Sequence, residues 1–298
     1  MELRQLRYAL MLAEEKNFSR AAEKLHLAQP SLSQQIIKLE KELSVSLFER
    51  RPGSLQLTYA GKRFIDQASR IIDQVEQLKQ EMMDVAESKK GQLVIGSLPI
   101  TGARLLPQAL QQFQHDFPGI ELVLVEEPTA QLESLTARGQ TDFSLLSLPL
   151  HEQGLDFIPV LEEDILLAVP PQHRFGTLKE AKLADCQDEP FILLKKGQGF
   201  RQIAAQLCQQ VGFEPQAIFE TTNIETLQSL VASGMGIGLI PKMVTRSEHA
   251  TLRPIYLPIS DIQARRTLVL AYKKGRYLSK AGEQFISLMK RLVKQGNY

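Results

Sequence analysis

Four side chains near the start of the chain share one helical stripe: Ser31, Gln34, Gln35 and Lys38, at i, i+3, i+4 and i+7. The opposite side of the same stretch carries Leu32, Ile36, Leu39 and Leu43, an apolar face. Solvated helix surfaces are usually rich in Glu and Lys. Amides and a hydroxyl in their place suit base edges, because glutamine pairs bidentately with adenine and serine reaches bases or phosphates. Gln29 and Ser33 border the stripe, and Pro30 suits the first helical turn, where its missing N–H is harmless. Taken alone, the stripe is also compatible with an ordinary solvated helix face.

Presenting such a stripe to a DNA major groove takes a helix-turn-helix, whose second helix enters with residues near its N-terminus. The preceding residues fit that unit. Leu3, Leu6, Leu10 and Ala13 recur at helical spacing, and Ser19 is a candidate cap for a short helix through Leu25. Ala21 and Ala22 are small enough for a close helix crossing, and Leu25 and Leu27 can pin the turn. After the stripe, Leu47, Phe48, Leu55 and Leu57 flank a Pro52-Gly53 turn, the pattern of a two-stranded ribbon. Arg50 and Arg51 beside that turn would rest on the phosphate backbone as a wing. Residues 1–63 hold 11 Lys and Arg against 7 Glu and no Asp, a modest excess that permits a phosphate-binding face.

From Gly61 to Ser88 there is no proline and no further glycine, and Thr58 is placed to cap the helix. Phe64, Ala68, Ile71, Val75, Leu78, Met82 and Val85 follow alternating steps of four and three, with nearly all intervening positions polar. So narrow a stripe predicts a two-stranded coiled coil, a dimerising linker helix that ends at "ESKKG". Packing on the chain's own core is the alternative. From Gln92 onward strands alternate with helices: "GQLVIGS", "IELVLVE" and "TDFSLLSL", then "ILLAV", "PFILL", "QAIFE" and "IGLIP". This alternation indicates α/β sheets with crossover connections. The expected organisation is residues 1–58 for the helix-turn-helix, 59–88 for the linker helix and 89–298 for two similar lobes. Lobe I covers about 92–161 and 265–298, and lobe II about 162–264.

Composition narrows the function classes. A chain of 298 residues with 43% hydrophobic and 23% charged residues reads as a soluble protein of two or three domains. No apolar run approaches the roughly 18 residues of a membrane helix, and "MELRQLRYAL" lacks the features of a signal peptide. Cys186 and Cys208 are too few for a disulfide scaffold and lack metal-ligand spacing, so a reducing cytoplasm is expected. The five histidines (26, 115, 151, 173 and 249) show no metal-binding pattern. "GSLPITG" and "GMGIGLIP" are neither a P-loop nor a dinucleotide fingerprint. No enzyme activity, metal or cofactor is expected.

The segment "FSRAAEKLHLAQPSLSQQIIKLEKELSVSLFERRPGSLQLTYAG" closely resembles the N-terminal domain of LysR-type transcriptional regulators. The match rests on the paired alanines, "QPSLS", the "LE.EL...LFER" pattern and "LT.AG" before a long helix. It runs ungapped over residues 1–88. Later, "LVASGMGIGLIP" and the "TDFSLL" strand match more weakly. The resemblance implies a multi-domain fold: an all-α winged helix-turn-helix plus linker helix, then a two-lobed α/β effector domain resembling periplasmic binding proteins. It implies a bacterial, cytoplasmic protein that binds double-stranded promoter DNA, dimerises through the linker and assembles as a homotetramer. A small-molecule effector between the lobes, RNA polymerase for an activator, and no membrane complete the expected partners.

By the same resemblance, the loop after the first α/β strand lines the effector cleft, here Ser97, Leu98, Pro99, Ile100 and Thr101. Thr101 opens a helix, so its hydroxyl and the nearby N–H groups form an anion site. Across the cleft, Gly197, Gly199 and Phe200 would supply backbone donors, with Arg201 as a charge partner. Later strand-end loops add Thr129, Ser147, Thr222 and Asn223, since such loops are where α/β sheets bind ligands. Each hydroxyl is equally compatible with a plain helix cap. A small organic anion, first a carboxylate with an apolar or aromatic body, is the expected effector. One branch of the family senses peroxide through a cysteine pair. Cys208 falls at the second position of that pair, but Gly199 stands at the reactive first one. The alternatives are a cytoplasmic small-molecule-binding protein and a redox-responsive regulator.

Overall fold

The computed structural model describes residues 1–51, 54–85 and 91–296, with the side chains of Arg50, Arg51, Ser54, Gln80, Met83 and Val85 outside that description. The expected Pro52-Gly53 turn, the helix end at "ESKKG" and the side-chain roles of Arg50, Arg51 and Val85 therefore lie outside the described residues. Two compact units divide the chain: the described residues of 1–88, counted with 138–140, and those of 89–137 and 141–298.

The first unit begins with α1 (Leu3–Glu15), α2 (Phe18–Lys24) and α3 (Gln29–Leu43). Asn17, not Ser19, caps α2: its side chain accepts from the N–H groups of Ser19 (2.9 Å) and Arg20 (3.1 Å). The helix starts two residues earlier than the Ser19 reading allows, which puts Ser19 inside the first turn. Pro30 lies in the first turn of α3, as its missing N–H favours. Ala9, Leu12, Ala21, Ala22, Leu32, Ile36, Leu39 and Leu47 form the core of this unit. The paired alanines are buried where α1, α2 and α3 pack.

Strands β1 (Phe48–Arg51) and β2 (Ser54–Leu57) pair antiparallel, with Phe48 opposite Leu57. Glu40 of α3 fixes the ribbon by accepting from the Leu47 and Phe48 N–H groups at 2.6 and 3.1 Å. The long helix α4 (Tyr59–Val85) follows. Thr58 caps it, accepting from Gly61 N–H at 2.8 Å and donating to the Ser46 carbonyl at 2.7 Å. Gly61 is required here, because a Cβ would stand 2.0 Å from the Leu47 carbonyl oxygen. Along the expected seam, Phe64 packs on the core of its own unit and Ala68 is buried. Ile71, Leu78 and Met82 are 38%, 58% and 51% exposed, an apolar row facing solvent within a single chain.

In the second unit the elements run β3 (Gly91–Ser97), α5 (Pro99–Asp116), β4 (Ile120–Glu126), α6 (Thr129–Ala137), β5 (Phe143–Ser147) and β6 (Leu155–Val169). They continue as β7 (Phe191–Leu194), α7 (Gly199–Gln210), β8 (Ala217–Thr221), α8 (Ile224–Ala232), β9 (Gly238–Pro241), β10 (Ile255–Leu257), β11 (Arg265–Lys273) and α9 (Lys280–Lys294). The main sheet has the order β10-β6-β11-β5-β3-β4, with β9 also paired to β6. Strand β3 runs parallel to β4 and β5, while β11 is antiparallel to β5 and β6. Strands β7 and β8 form a separate parallel pair.

The segment "ILLAV" is the last third of the 15-residue strand β6. Its first two-thirds pair with β11 and its last third with β9 and β10, so one continuous strand serves both lobes. The register between β6 and β11 shifts beside Pro159, which has no N–H to give a ladder. One large core gathers around Phe113, Phe143 and Phe285, another around Phe191, Ile192 and Leu239, and a smaller one around Leu132, Leu146 and Val269. No described helix is long and apolar enough to cross a membrane.

Two side chains of α3 predict opposite outcomes. Leu39 is fully buried, so Leu39→Ala should cost about 2–5 kcal/mol. Ile37 is 43% exposed, so Ile37→Ala should change stability by less than about 0.5 kcal/mol. Urea unfolding followed by circular dichroism compares them.

Candidate functional site

The outer side of α3 presents Gln29, Pro30, Ser31, Gln34 and Lys38, all exposed. Ser33 is half-buried. Gln35 is half-buried too, and its carbonyl accepts from the Gln5 amide of α1 at 3.4 Å. That contact ties one of the two glutamines to the helix bundle and leaves Gln34 projecting. The backbones of Arg50 and Arg51 lie in β1, one strand beyond α3.

A cavity of about 340 Å³ opens at the strand ends of the second unit. Of the residues expected to meet an effector, Leu98, Pro99, Ile100, Thr101, Ser147, Gly199, Phe200, Thr222 and Asn223 line it. They come from the starts of α5, α7 and α8 and from the end of β5, so the sheet itself gathers them. Thr101 is 5% exposed and its hydroxyl has no hydrogen-bond partner among the described residues. The start of α5 has Leu98 as its N-cap, with no side-chain hydrogen bond to its first N–H groups.

The other four stand off the cavity wall. Ser97 is buried under α5, where its hydroxyl donates to the Leu98 carbonyl at 3.1 Å. Thr129 is 6% exposed and its Oγ1 accepts from Gly199 N–H at 3.0 Å, linking the first turns of α6 and α7. Gly197, at φ 91°, makes the turn that leads into α7. Arg201 pairs with Glu220 at 3.1 Å and donates to the Leu194 carbonyl at 3.2 Å. Asn223, on the wall, also caps α8 by accepting from Glu225 N–H at 2.8 Å.

Sequence reasoning missed Glu126, Glu127, Pro128, Leu194, Gln198, Ile224, Pro241, Val244 and Arg266, which complete the wall. Glu126 to Pro128 follow β4 directly, so the strand-end rule that selected Thr129 pointed at them as well. Arg266 had no such signal. Its Nε donates to Glu163 Oε1 at 2.7 Å, across the β6–β11 pairing. Glu163 Oε2 accepts from Met243 N–H at 2.8 Å. The guanidinium also reaches Ser147 Oγ at 3.5 Å and lies 5.5 Å from the centre of the Phe200 ring. Burial pulls the Arg266 pKa below its ordinary value, and Glu163 opposes that pull. The charge at the cavity floor is therefore a neutralised pair rather than a free cation.

Both cysteines are fully buried and carry free thiols. Burial pushes the Cys186 and Cys208 thiols up to about 12, with Glu189 adding to the effect at Cys186. Only a thiolate is a strong nucleophile, and at neutral pH neither sulfur carries one.

Two family models match the chain. Residues 3–62 match "Bacterial regulatory helix-turn-helix protein, lysR family", and residues 86–294 match "LysR substrate binding domain". An uncharacterised HTH-type transcriptional regulator of Bacillus subtilis, YcgK, is 40% identical over 99% of this chain and 96% of its own. The DNA-binding transcriptional dual regulator OxyR of Escherichia coli is 34% identical over 95% and 93%. Among solved structures, a full-length OxyR variant from Pseudomonas aeruginosa superposes with a TM-score of 0.76 at 26% identity, covering 99% of this chain and 95% of its own. Full-length BenM gives 0.62 at 26% identity over 100% and 99%.

The thiol burial generates a direct test. In the folded protein at pH 8, neither thiol should react with a thiol-specific chromogenic reagent over minutes, and treatment with hydrogen peroxide should leave both thiols titratable after denaturation. Denaturant should expose both. Rapid labelling of either cysteine in the native state would contradict the buried placement.

Proposed function

Because the chain belongs to the LysR family of bacterial transcriptional regulators, with a DNA-binding helix-turn-helix and an effector-binding domain, we propose that a small organic anion in the cavity controls its action on promoter DNA. Regulators of this family are transcription factors rather than enzymes. The observation that carries the effector reading is the Thr101 hydroxyl. It is nearly buried and unpartnered among the described residues, at an uncapped helix start that lines a cavity. Helix N-termini favour negative charge because their first N–H groups lack partners and the peptide dipoles align. Leu98, Ile100 and Phe200 give the ligand's body an apolar wall.

Several relatives bear the name "Hydrogen peroxide-inducible genes activator", which makes oxidation the second reading. Buried, protonated thiols and a glycine at position 199 weigh against it. On the DNA side, the exposed stripe of Ser31, Gln34 and Lys38 supports base reading by α3, with Arg50 and Arg51 on the backbone. The exposed row of Ile71, Leu78 and Met82 supports dimerisation through α4, and we extend this to a tetramer on a two-part promoter site. An anion that binds one arrangement of the lobes more tightly shifts the population toward it, and the DNA-binding units respond in their spacing. Contact with RNA polymerase belongs to the activator version of this reading, in the bacterial cytoplasm.

Two measurements test it. Gln34→Ala should cost about 1–3 kcal/mol of discrimination between the promoter site and random DNA, read by fluorescence anisotropy at fixed salt. An equal loss on both DNAs would assign Gln34 to the backbone instead. Thr101→Val removes the hydroxyl at nearly constant volume. It should bring the ratio of DNA affinities with and without effector toward one, and an unaltered ratio would remove Thr101 from the site.

A further inference from the structure

Two carboxylates at the cavity are left over by a purely anionic ligand. Glu126 and Glu127 line it, Glu126 exposed and Glu127 half-buried, and neither has an ion pair or side-chain hydrogen bond among the described residues. The cation on the same wall, Arg266, is already matched by Glu163. The side chains around the opening thus carry uncompensated negative charge, which disfavours a simple anion. On the same cavity wall, the uncapped start of α5 and the unpartnered Thr101 hydroxyl favour negative charge. Two poles of opposite preference share one cavity.

The sheet sets how far apart those poles lie. Strands β3 and β4 are parallel neighbours, and Ser97 at the end of one is level with Glu126 at the end of the other. Adjacent strands stand about 4.8 Å apart. The chain leaving β3 enters α5 within two residues, and Glu127 follows Glu126 directly. A ligand that satisfies both poles therefore carries its positive and negative groups a few bonds apart, as on a single carbon, not at the ends of a long chain. Apolar side chains, among them Leu98, Ile100, Phe200, Ile224 and Val244, make up much of the remaining wall.

We propose that the effector is a zwitterion, an α-amino acid with an apolar side chain. Its carboxylate meets the start of α5 and Thr101, its ammonium meets Glu126 and Glu127, and its side chain enters the apolar part of the cavity. This rests on the effector reading above and narrows it from organic anions to aminocarboxylates. The two carboxylates act as the specificity determinant, because an ammonium removed from water needs a charged acceptor while a des-amino acid gains nothing from one.

The test uses the full-length protein and calorimetric titration with two matched series. One series is L-alanine, L-valine, L-leucine, L-methionine and L-phenylalanine; the other holds the same carbon skeletons with hydrogen in place of the ammonium. At least one amino acid should bind saturably and exceed its des-amino partner by about tenfold or more. The double substitution Glu126→Gln with Glu127→Gln should lower that amino acid's affinity about 10- to 100-fold. It should leave the des-amino acid's affinity equal or improved. Thr101→Val should weaken both series, which separates the carboxylate pole from the ammonium pole. Tighter binding of the des-amino acids to the unaltered protein would overturn the zwitterion and leave the anionic reading standing. Absence of binding by either series to folded protein would overturn both.

Discussion

The second unit depends on the buried ion pair between Glu163 and Arg266. The two residues face each other on β6 and β11, the long strands that carry the chain between its lobes. Such a pair adds little net stability over apolar residues of similar volume, but stripping one partner strands a buried charge at a cost of about 3–5 kcal/mol. What the pair supplies is orientation. Through Ser147, Met243 and Phe200 it fixes the end of β5, the turn after β9 and the first turn of α7 relative to one crossing point. A change in any of these is felt by the others through two side chains whose hydrogen bonds leave few alternative placements.

Local patterns were readable where the physics is local. The amide stripe of α3, the paired alanines, the Thr58 cap and the proline-free α4 each follow from spacing within one helix, and each stands where its spacing puts it. Strand-end loops gave half of the cavity wall for the same reason, because the sheet order follows from alternating strands and helices. Long-range pairings were not readable. No local pattern marked Arg266, which β11 brings against Glu163, about a hundred residues away. The first two-thirds of β6 were hidden by Pro159 and by the acidic run at Glu162, Glu163 and Asp164, which interrupt an apolar strand pattern. Arg201, expected as a ligand's charge partner, instead pairs with Glu220 of β8, a contact set by the β7–β8 pairing.

The first unit shows how one helix can be divided between two tasks. The start of α4 belongs to its own domain: Thr58, Gly61 and Phe64 lock it to the ribbon and the core. Farther along, the same heptad spacing continues with its apolar residues uncovered. Intrachain packing and an uncovered apolar row are thus consecutive segments of a single periodic pattern, which is why periodicity alone left both explanations open.

The hydrogen bond from Gly199 to Thr129 has a geometric consequence. A Cβ on residue 199 would stand 2.9 Å from Thr129 Oγ1 and 3.2 Å from its methyl group. With no side chain at that point, the first turns of α6 and α7 approach until backbone meets hydroxyl. Position 199 is in effect an adjustable stop between the two helix starts, and its present setting is zero carbons. A single methyl group added there would press on Thr129 and require the two helix starts to give way by a few tenths of an ångström.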